Sequence, residues 1–201
     1  MSQTDRAKWD AKYAEPGRRR GDDPPAFVRG VAAALPQEGR ALDVACGEGQ
    51  TLVFLAERGL EGVGVDVSPV GLAKARALAE ERGVAEHVAL VEHDLDAGLP
   101  ALAGRFDVVS VVHFHAPALW PALRALLAPG GFLLLETLTT ENVDLGLPHP
   151  SARWLARPAE LLGAATGLRV RLYREALVDG SVRAQLLAQE PSGAPPDLRR
   201  R

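Results

Sequence analysis

One stretch constrains this chain more than any other. Leu42-Asp43-Val44-Ala45-Cys46-Gly47-Glu48-Gly49 is an apolar run that ends in glycines and passes at once into Leu52, Leu55 and Ala56 at helical spacing. The glycines let the backbone turn tightly and approach a ligand closely. A strand that leaves through such a turn into a helix is the opening unit of a parallel α/β sheet, whose ligands sit outside the carboxyl ends of the strands. The next strand-like run, Gly62 to Val67, closes on Val65-Asp66-Val67, which puts Asp66 nineteen residues after Gly47. An acid there can accept both hydroxyls of a ribose. Either feature alone has a plain structural use: glycines serve any tight turn, and Asp66 or Ser68 can cap the helix that starts near Pro69.

The same alternation predicts the rest of the fold. A first helix begins after Thr4 or Asp5, carries Trp9 and Tyr13, and stops at Pro16-Gly17. Asp23 is positioned to cap a second helix opening on Pro24-Pro25, with Phe27, Val28, Val31 and Leu35 as its apolar stripe. Strands follow at Ala41 to Ala45, Gly62 to Val67, Val88 to Val91, Phe106 to Val112 and Phe132 to Leu135. Helices near Leu52, Pro69 to Arg82 and Leu119 to Leu127 separate them. The fourth run is nearly continuous in valine, as a strand buried on both faces should be. Asp179-Gly180 between two strand-like runs, Leu168 to Leu177 and Val182 to Ala188, signals a hairpin. The prediction is an α/β fold, Rossmann-like and doubly wound. Its seven-stranded sheet is mostly parallel, ends in an antiparallel hairpin and carries helices on both faces. Residues 1–190 form one domain: helices over the ligand site (1–38), the binding core (40–137), and a lid or connection with the hairpin (138–190). Residues 191–201 are a surface tail.

Ligand charge separates two families of nucleotide site. A dinucleotide loop wants a third glycine where Leu52 stands, and Glu48 sits between the two glycines, where a carboxylate would repel a pyrophosphate. Acids at Asp43, Glu48, Asp66 and Asp94 suit instead a cofactor with a positive sulfonium and no phosphate.

On these residues the chain resembles the class I S-adenosylmethionine-dependent methyltransferase superfamily. The glycine loop resembles Asp43 to Gly49, the ribose acid matches Asp66, and the adenine-contacting acid matches Asp94 in Glu92-His93-Asp94-Leu95. Phe106-Asp107-Val108-Val109 and Leu127-Ala128-Pro129-Gly130-Gly131 resemble the fourth strand and the turn before the fifth. Trp9-Asp10-Ala11-Lys12-Tyr13 is similar to the tellurite-resistance and thiopurine-type subgroup. The resemblance implies S-adenosylmethionine as cofactor, held by Asp43, Ala45, Cys46, Gly47, Gly49, Asp66, Val67, Asp94 and Leu95, with Trp9 and Tyr13 lining the pocket. In plain structural terms Cys46 is a small filler beneath the loop, Asp94 a loop acid, and Trp9 and Tyr13 core residues.

Methyl transfer from a sulfonium is an in-line displacement in which the protein orients the acceptor and excludes water. His113 and His115 leave the fourth strand at the rim where an acceptor would sit, and a histidine there can take a proton near neutral pH. A histidine at a strand end is also commonly satisfied by a backbone partner. No further Cys or His at ligand spacing supports a metal. The net charge of −3 gives no general basic excess for nucleic acid. One cysteine, a polar start at Met1 to Arg6, and no apolar run near ~20 residues predict a cytoplasmic protein without a membrane span. The expected acceptor is a small molecule: a thiol, a metalloid species or a metabolite. Two other readings stay open. One is a protein that binds the cofactor or its product without catalysis; the other is a nicotinamide oxidoreductase.

Overall fold

A computed structural model describes residues 3–149 and 151–192. Its centre is a seven-stranded sheet in the order β3-β2-β1-β4-β5-β7-β6. The strands are β1 (Arg40–Val44), β2 (Glu61–Asp66), β3 (Val88–Glu92), β4 (Phe106–Val112), β5 (Leu127–Leu138), β6 (Arg169–Val178) and β7 (Ser181–Gln189). β7 alone runs against its neighbours β5 and β6. The helices are α1 (Gln3–Tyr13), α2 (Ala26–Val31), α3 (Gln50–Glu57), α4 (Pro69–Glu81), α5 (Trp120–Ala125) and α6 (Glu141–Asp144).

The strand residues explain the layering. Leu42, Val44, Val65, Val109, Val111, Leu133 and Leu135 point to one face and bury against Leu119, Leu123, Leu161 and Ala164. Ala41, Val108, Leu134 and Leu187 point to the other, under Phe27, Val28 and Val31 of α2 and Leu55 of α3. Side chains alternate across a pleated strand, so only a run apolar at every position can feed both layers. Phe106 opens β4 fully buried. At the same end the Asp107 carboxylate accepts the Arg40 N–H at 2.8 Å, tying the start of β4 to the start of β1.

Several boundaries differ from the sequence reading, each for a local reason. α1 is already helical at Gln3, so Asp5 lies in its first turn instead of capping it. α2 starts at Ala26, with Pro25 extended at the cap position. Pro24, preceding Pro25, is pushed out of the helical region, so the helix starts two residues later than expected and Asp23 lies outside the cap position. Between β3 and β4 there is no α-helix, only a 3-10 turn at Leu95–Ala97. α5 is one and a half turns long, preceded by a 3-10 turn at Pro117–Leu119. A 3-10 helix at Glu160–Ala165 precedes β6.

β5 runs through Pro129-Gly130-Gly131 instead of starting after it. Leu127 pairs with Phe106 before the register shifts and Phe132 resumes opposite Val108. A Cβ on Gly131 would lie 2.8 Å from the Phe106 carbonyl oxygen, so this irregular crossing needs glycine.

The segment from Thr137 to Trp154 is a stapled connection. Asn142, fully buried in α6, donates from Nδ2 to the carbonyls of Thr139 (2.9 Å) and Val182 (2.7 Å). Its Oδ1 accepts the Val182 N–H at 2.9 Å. The hairpin turns at Asp179-Gly180, both at positive φ, as a two-residue loop of this kind requires. Of the predicted tail, residues 193–201 lie outside the described residues. Among the described residues no helix is long and apolar enough to cross a membrane.

Candidate functional site

A cavity of about 830 Å³ opens at the carboxyl ends of β1, β4 and β5. In the sheet order the chain leaves β1 in opposite directions at this point, the place where α/β sheets form their ligand crevice. Ala45, Gly47 and Gly49 all sit in the left-handed region, at φ of 58°, 55° and 83°. A non-glycine residue held there stores backbone strain of the kind that clusters at binding sites.

Two carboxylates stand beside this loop. Asp66 is buried at the end of β2; its Oδ2 accepts the Gly47 N–H and its Oδ1 the Ser68 N–H, each at 2.9 Å. Burial holds its pKa above the ordinary aspartate value. Asp43, 2% exposed, accepts the Ser110 hydroxyl at 2.7 Å. Burial, with Asp66 adding a smaller push, raises it to about 7. No salt bridge reaches either group among the described residues. An acid kept from solvent and left without a cation favours a ligand that brings positive charge or hydroxyl donors.

α1 covers the loop from above. Trp9 and Tyr13 stack with ring centroids 5.5 Å apart, and both line the cavity. The Tyr13 hydroxyl sits where a Cβ on Gly47 would come within 2.6 Å, and its ring packs over Gly71 at the start of α4. Burial raises the Tyr13 pKa, so the phenol keeps its proton. Ser68, which caps α4, donates to Asp10 of α1. Arg6 pairs with Glu92 at 2.7 Å. The cover is therefore fastened to the ends of β2 and β3.

The sequence-predicted residues divide in two. Asp43, Ala45, Cys46, Gly47, Asp66, Trp9, Tyr13 and His113 line the cavity; Gly49, Val67, Asp94, Leu95 and His115 are not among its walls. A Cβ on Gly49 would lie 2.7 Å from Ala75 Cβ, so that glycine lets α3 and α4 pack closely. Val67 and Leu95 belong to the core. Asp94 caps its turn by accepting the Asp96 N–H at 2.9 Å. The Cys46 thiol is buried, and burial pushes its pKa up, making it a filler and not a nucleophile.

Glu48 differs from the sequence argument. Its carboxylate is turned to Lys74 (3.2 Å) and accepts the Arg19 N–H at 2.9 Å, so its charge is largely spent inside the protein. It is a weaker barrier to a phosphate than its position in the loop suggests.

The histidines are also corrected. His115 is buried on the far side of the strand end, edge-on to Trp120 at 6.0 Å and with Nε2 3.4 Å from Glu160. It faces away from the acceptor side. His113 is at the cavity wall, at φ 61°, with its N–H donated to the Glu136 carbonyl at 2.8 Å. Burial, then the positive charges of Arg20 and Arg183, lower its pKa to about 3. Arg183 Nη1 lies 3.3 Å from His113 Nδ1. Arginine only donates, so Nδ1 accepts and the ring proton resides on Nε2. His113 is thus a neutral hydrogen-bond donor, unsuited to the general-base role its position suggested.

Ser110, Arg183 and Gln185 were not singled out from the sequence. The last two have a readable signal: in β7 they alternate with the buried Val182, Ala184 and Leu186, and two polar side chains on one face of such a strand demand partners. Glu136 in β5 is that partner. It is 3% exposed, accepts from Gln185 Nε2, and lies 3.2 Å from Arg183 Nη1. Among the described residues no cluster of His, Cys, Asp and Glu could hold a metal ion.

Comparison with known proteins points the same way. Residues 41–131 match the profile of a methyltransferase domain. A ubiquinone biosynthesis O-methyltransferase of Cereibacter sphaeroides is 34% identical over 137 residues, covering 65% of this chain and 54% of the relative. A tRNA 5-carboxymethoxyuridine methyltransferase of Escherichia coli K12 is 32% identical over 150 residues, covering 64% and 56%. The chain thus spans about half the length of the curated relatives it matches. In fold it is similar to a SAM-dependent methyltransferase from Geobacter sulfurreducens, crystallised with S-adenosyl-L-homocysteine: TM-score 0.69, 20% identity, 92% of this chain and 98% of that one. Residues 41–131 thus resemble a methyltransferase domain, and the fold around them, with its sheet order, glycine loop and acid ending β2, is similar to that of S-adenosylmethionine-dependent methyltransferases.

Proposed function

We propose that this protein transfers a methyl group from S-adenosylmethionine to a small-molecule acceptor. The observation that carries the reading is the pair Asp43 and Asp66. Two buried carboxylates without salt bridges flank a strained glycine loop in a cavity large enough for a cofactor and an acceptor together. The donor set fits the cofactor: Asp66 accepts from ribose hydroxyls, the Ala45 to Gly47 backbone lies against the amino-acid portion, and Trp9 and Tyr13 close the cavity from above. In this reading the turn at Asp94 and Leu95, which follows β3 next to Asp66 in the sheet, borders the adenine.

When bound, the cofactor supplies a methyl group already activated on sulfur. The chain supplies placement. Phe114 and Trp154, with ring centroids 5.3 Å apart, give the acceptor side an apolar wall. His113 offers Nε2–H as a donor that can fix an acceptor oxygen or thiolate. Without a base at His113, the acceptor enters as its anion or gives its proton to solvent.

The net charge of −3 and the enclosed cavity favour a small acceptor over a nucleic acid, and a cytoplasmic setting fits the single buried cysteine. Parallel calorimetric titrations of the purified protein with adenosylmethionine, adenosylhomocysteine and NAD test the cofactor. Micromolar binding of the first two, without NAD, supports the reading, and failure of both adenosyl compounds to bind folded protein ends it. Transfer of a labelled methyl group then separates an enzyme from a non-catalytic binder.

A further inference from the structure

The acceptor side of the cavity is unusually rich in guanidinium groups. Arg20, Arg174 and Arg183 line it together with His113, Glu136 and Gln185. Arg174 is held by Gln185 Oε1. Arg183 is the most enclosed: its side chain is 14% exposed, Nη1 is shared between Glu136 and His113, and Nε is buried with no hydrogen-bond partner. Arg20 comes from the loop after α1 and reaches the same space. Among the described residues no hydrogen bond or ion pair engages its guanidinium.

Glu136 is the buried acid of the group, and Arg183 and Gln185 already occupy it. Asp23 and Asp179 also line the cavity and, like Arg20 and Arg174, are exposed, but among the described residues no ion pair joins either acid to Arg20. His113 reports the local field. Its Nδ1 is only 3.8 Å from Glu136, yet its proton affinity is depressed, by burial first and then by Arg20 and Arg183. A site with one neutralised acid and an unengaged guanidinium is built to receive an anion, and the planar fork of arginine matches a carboxylate best. The neighbouring walls, Phe27, Phe114 and Trp154, are flat and apolar.

We propose that Arg20 and Arg183 bind a carboxylate carried by the methyl acceptor, itself a planar, largely apolar molecule. This assignment rests on the methyl-transfer reading above and names the substrate class for it. Arg183 lies in β7, opposite Leu138 and two residues before the partner of Glu136, on the acceptor side of the cavity and away from the glycine loop. Both arginines are positioning residues: they hold the acceptor while His113 Nε2–H addresses it.

The test uses the protein saturated with adenosylhomocysteine. Benzoate and its neutral isostere benzamide are titrated in, with tryptophan fluorescence of Trp9 and Trp154 or calorimetry as readout. Benzoate is expected to bind about tenfold tighter than benzamide, and Arg20→Gln or Arg183→Gln to remove that preference. Adenosylhomocysteine affinity should stay within about twofold in Arg183→Gln, since Arg183 lies away from the glycine loop. Arg20 makes no internal hydrogen bond, so its replacement leaves the fold intact. Arg183→Lys keeps a charge beside Glu136 and should retain part of the preference. Equal binding of the two probes, or binding of neither, overturns the proposal. So does a large loss of adenosylhomocysteine affinity in the arginine variants, which would assign the guanidiniums to the cofactor. Failure of wild-type protein to bind adenosylhomocysteine at all would strike the cofactor reading instead.

Discussion

Asp43 should make the ligand-free protein lose stability as pH rises, and Asp43→Asn should abolish that loss. In the folded state burial holds the Asp43 proton up to about pH 7, whereas an ordinary aspartate releases it near 3.8. Between those values the native state binds more protons than the unfolded chain, so unfolding becomes easier as pH increases. The gap corresponds to about 4 kcal/mol at 1.36 kcal/mol per pH unit. The part falling between pH 5 and pH 8 is about 2.5 kcal/mol by the linkage relation. For a chain of this size that is about 5 to 10 °C in Tm. An asparagine keeps an oxygen for the Ser110 hydroxyl but cannot ionise. The assay is thermal unfolding of ligand-free wild type and variant at half-unit steps from pH 5 to 8. The quantity that matters is the difference between the two curves. Asp66 is raised by burial and pulls wild-type stability the same way as Asp43. His113, lowered to about 3, works oppositely below its ordinary value of 6.5, because the unfolded chain there binds the extra proton. Both contributions cancel in the difference, which should grow with pH in favour of the variant. A difference that is flat across the range would show that Asp43 ionises normally in the folded protein, and the desolvation argument would fail. The same variant should lose more affinity for adenosylmethionine, with its extra sulfonium charge, than for adenosylhomocysteine.

Three other outcomes follow from single contacts. Gly49→Ala combines φ 83° with a Cβ 2.7 Å from Ala75 Cβ; it should cost about 3 kcal/mol in urea unfolding, partly recovered by adding Ala75→Gly. Asp66→Asn sets an amide nitrogen against the Gly47 or Ser68 N–H and removes the ribose acceptor. Calorimetry should show adenosylhomocysteine affinity reduced about tenfold or more. Asn142→Ala leaves the Val182 N–H unmet inside the protein and takes one of two donors from each of the Thr139 and Val182 carbonyls, and a loss of about 1 to 2 kcal/mol is expected by thermal melt. An unchanged melting temperature there would show that the connection after β5 is not stapled in solution.

What could be read from the chain and what could not divide along one physical line. The strand-to-helix turn at Gly47 and Gly49, the acid ending β2 and the valine run of β4 were legible because each is a local demand of the backbone: a positive φ, a capped turn, two buried faces. The same local logic misplaced the start of β5. Pro129-Gly130-Gly131 reads as a turn, but the strand carries on past it as an irregularity, with Gly130 at φ 82° and pairing to β4 resumed at Phe132. Charged side chains were harder still, because their partners are remote. Glu48 looked like a free carboxylate in the loop until α4 brought Lys74 to it. His113 looked like a base until a strand seventy residues later placed Arg183 on its Nδ1. That one contact decides which nitrogen carries the proton, and with it whether the residue can take a proton or only offer one. Sequence position put the imidazole at the rim, but its chemistry is set by β7. On the proposed reading the acceptor side is therefore written in the last third of the chain, where Arg183 and Gln185 interrupt an apolar strand, while the cofactor side is written in the first.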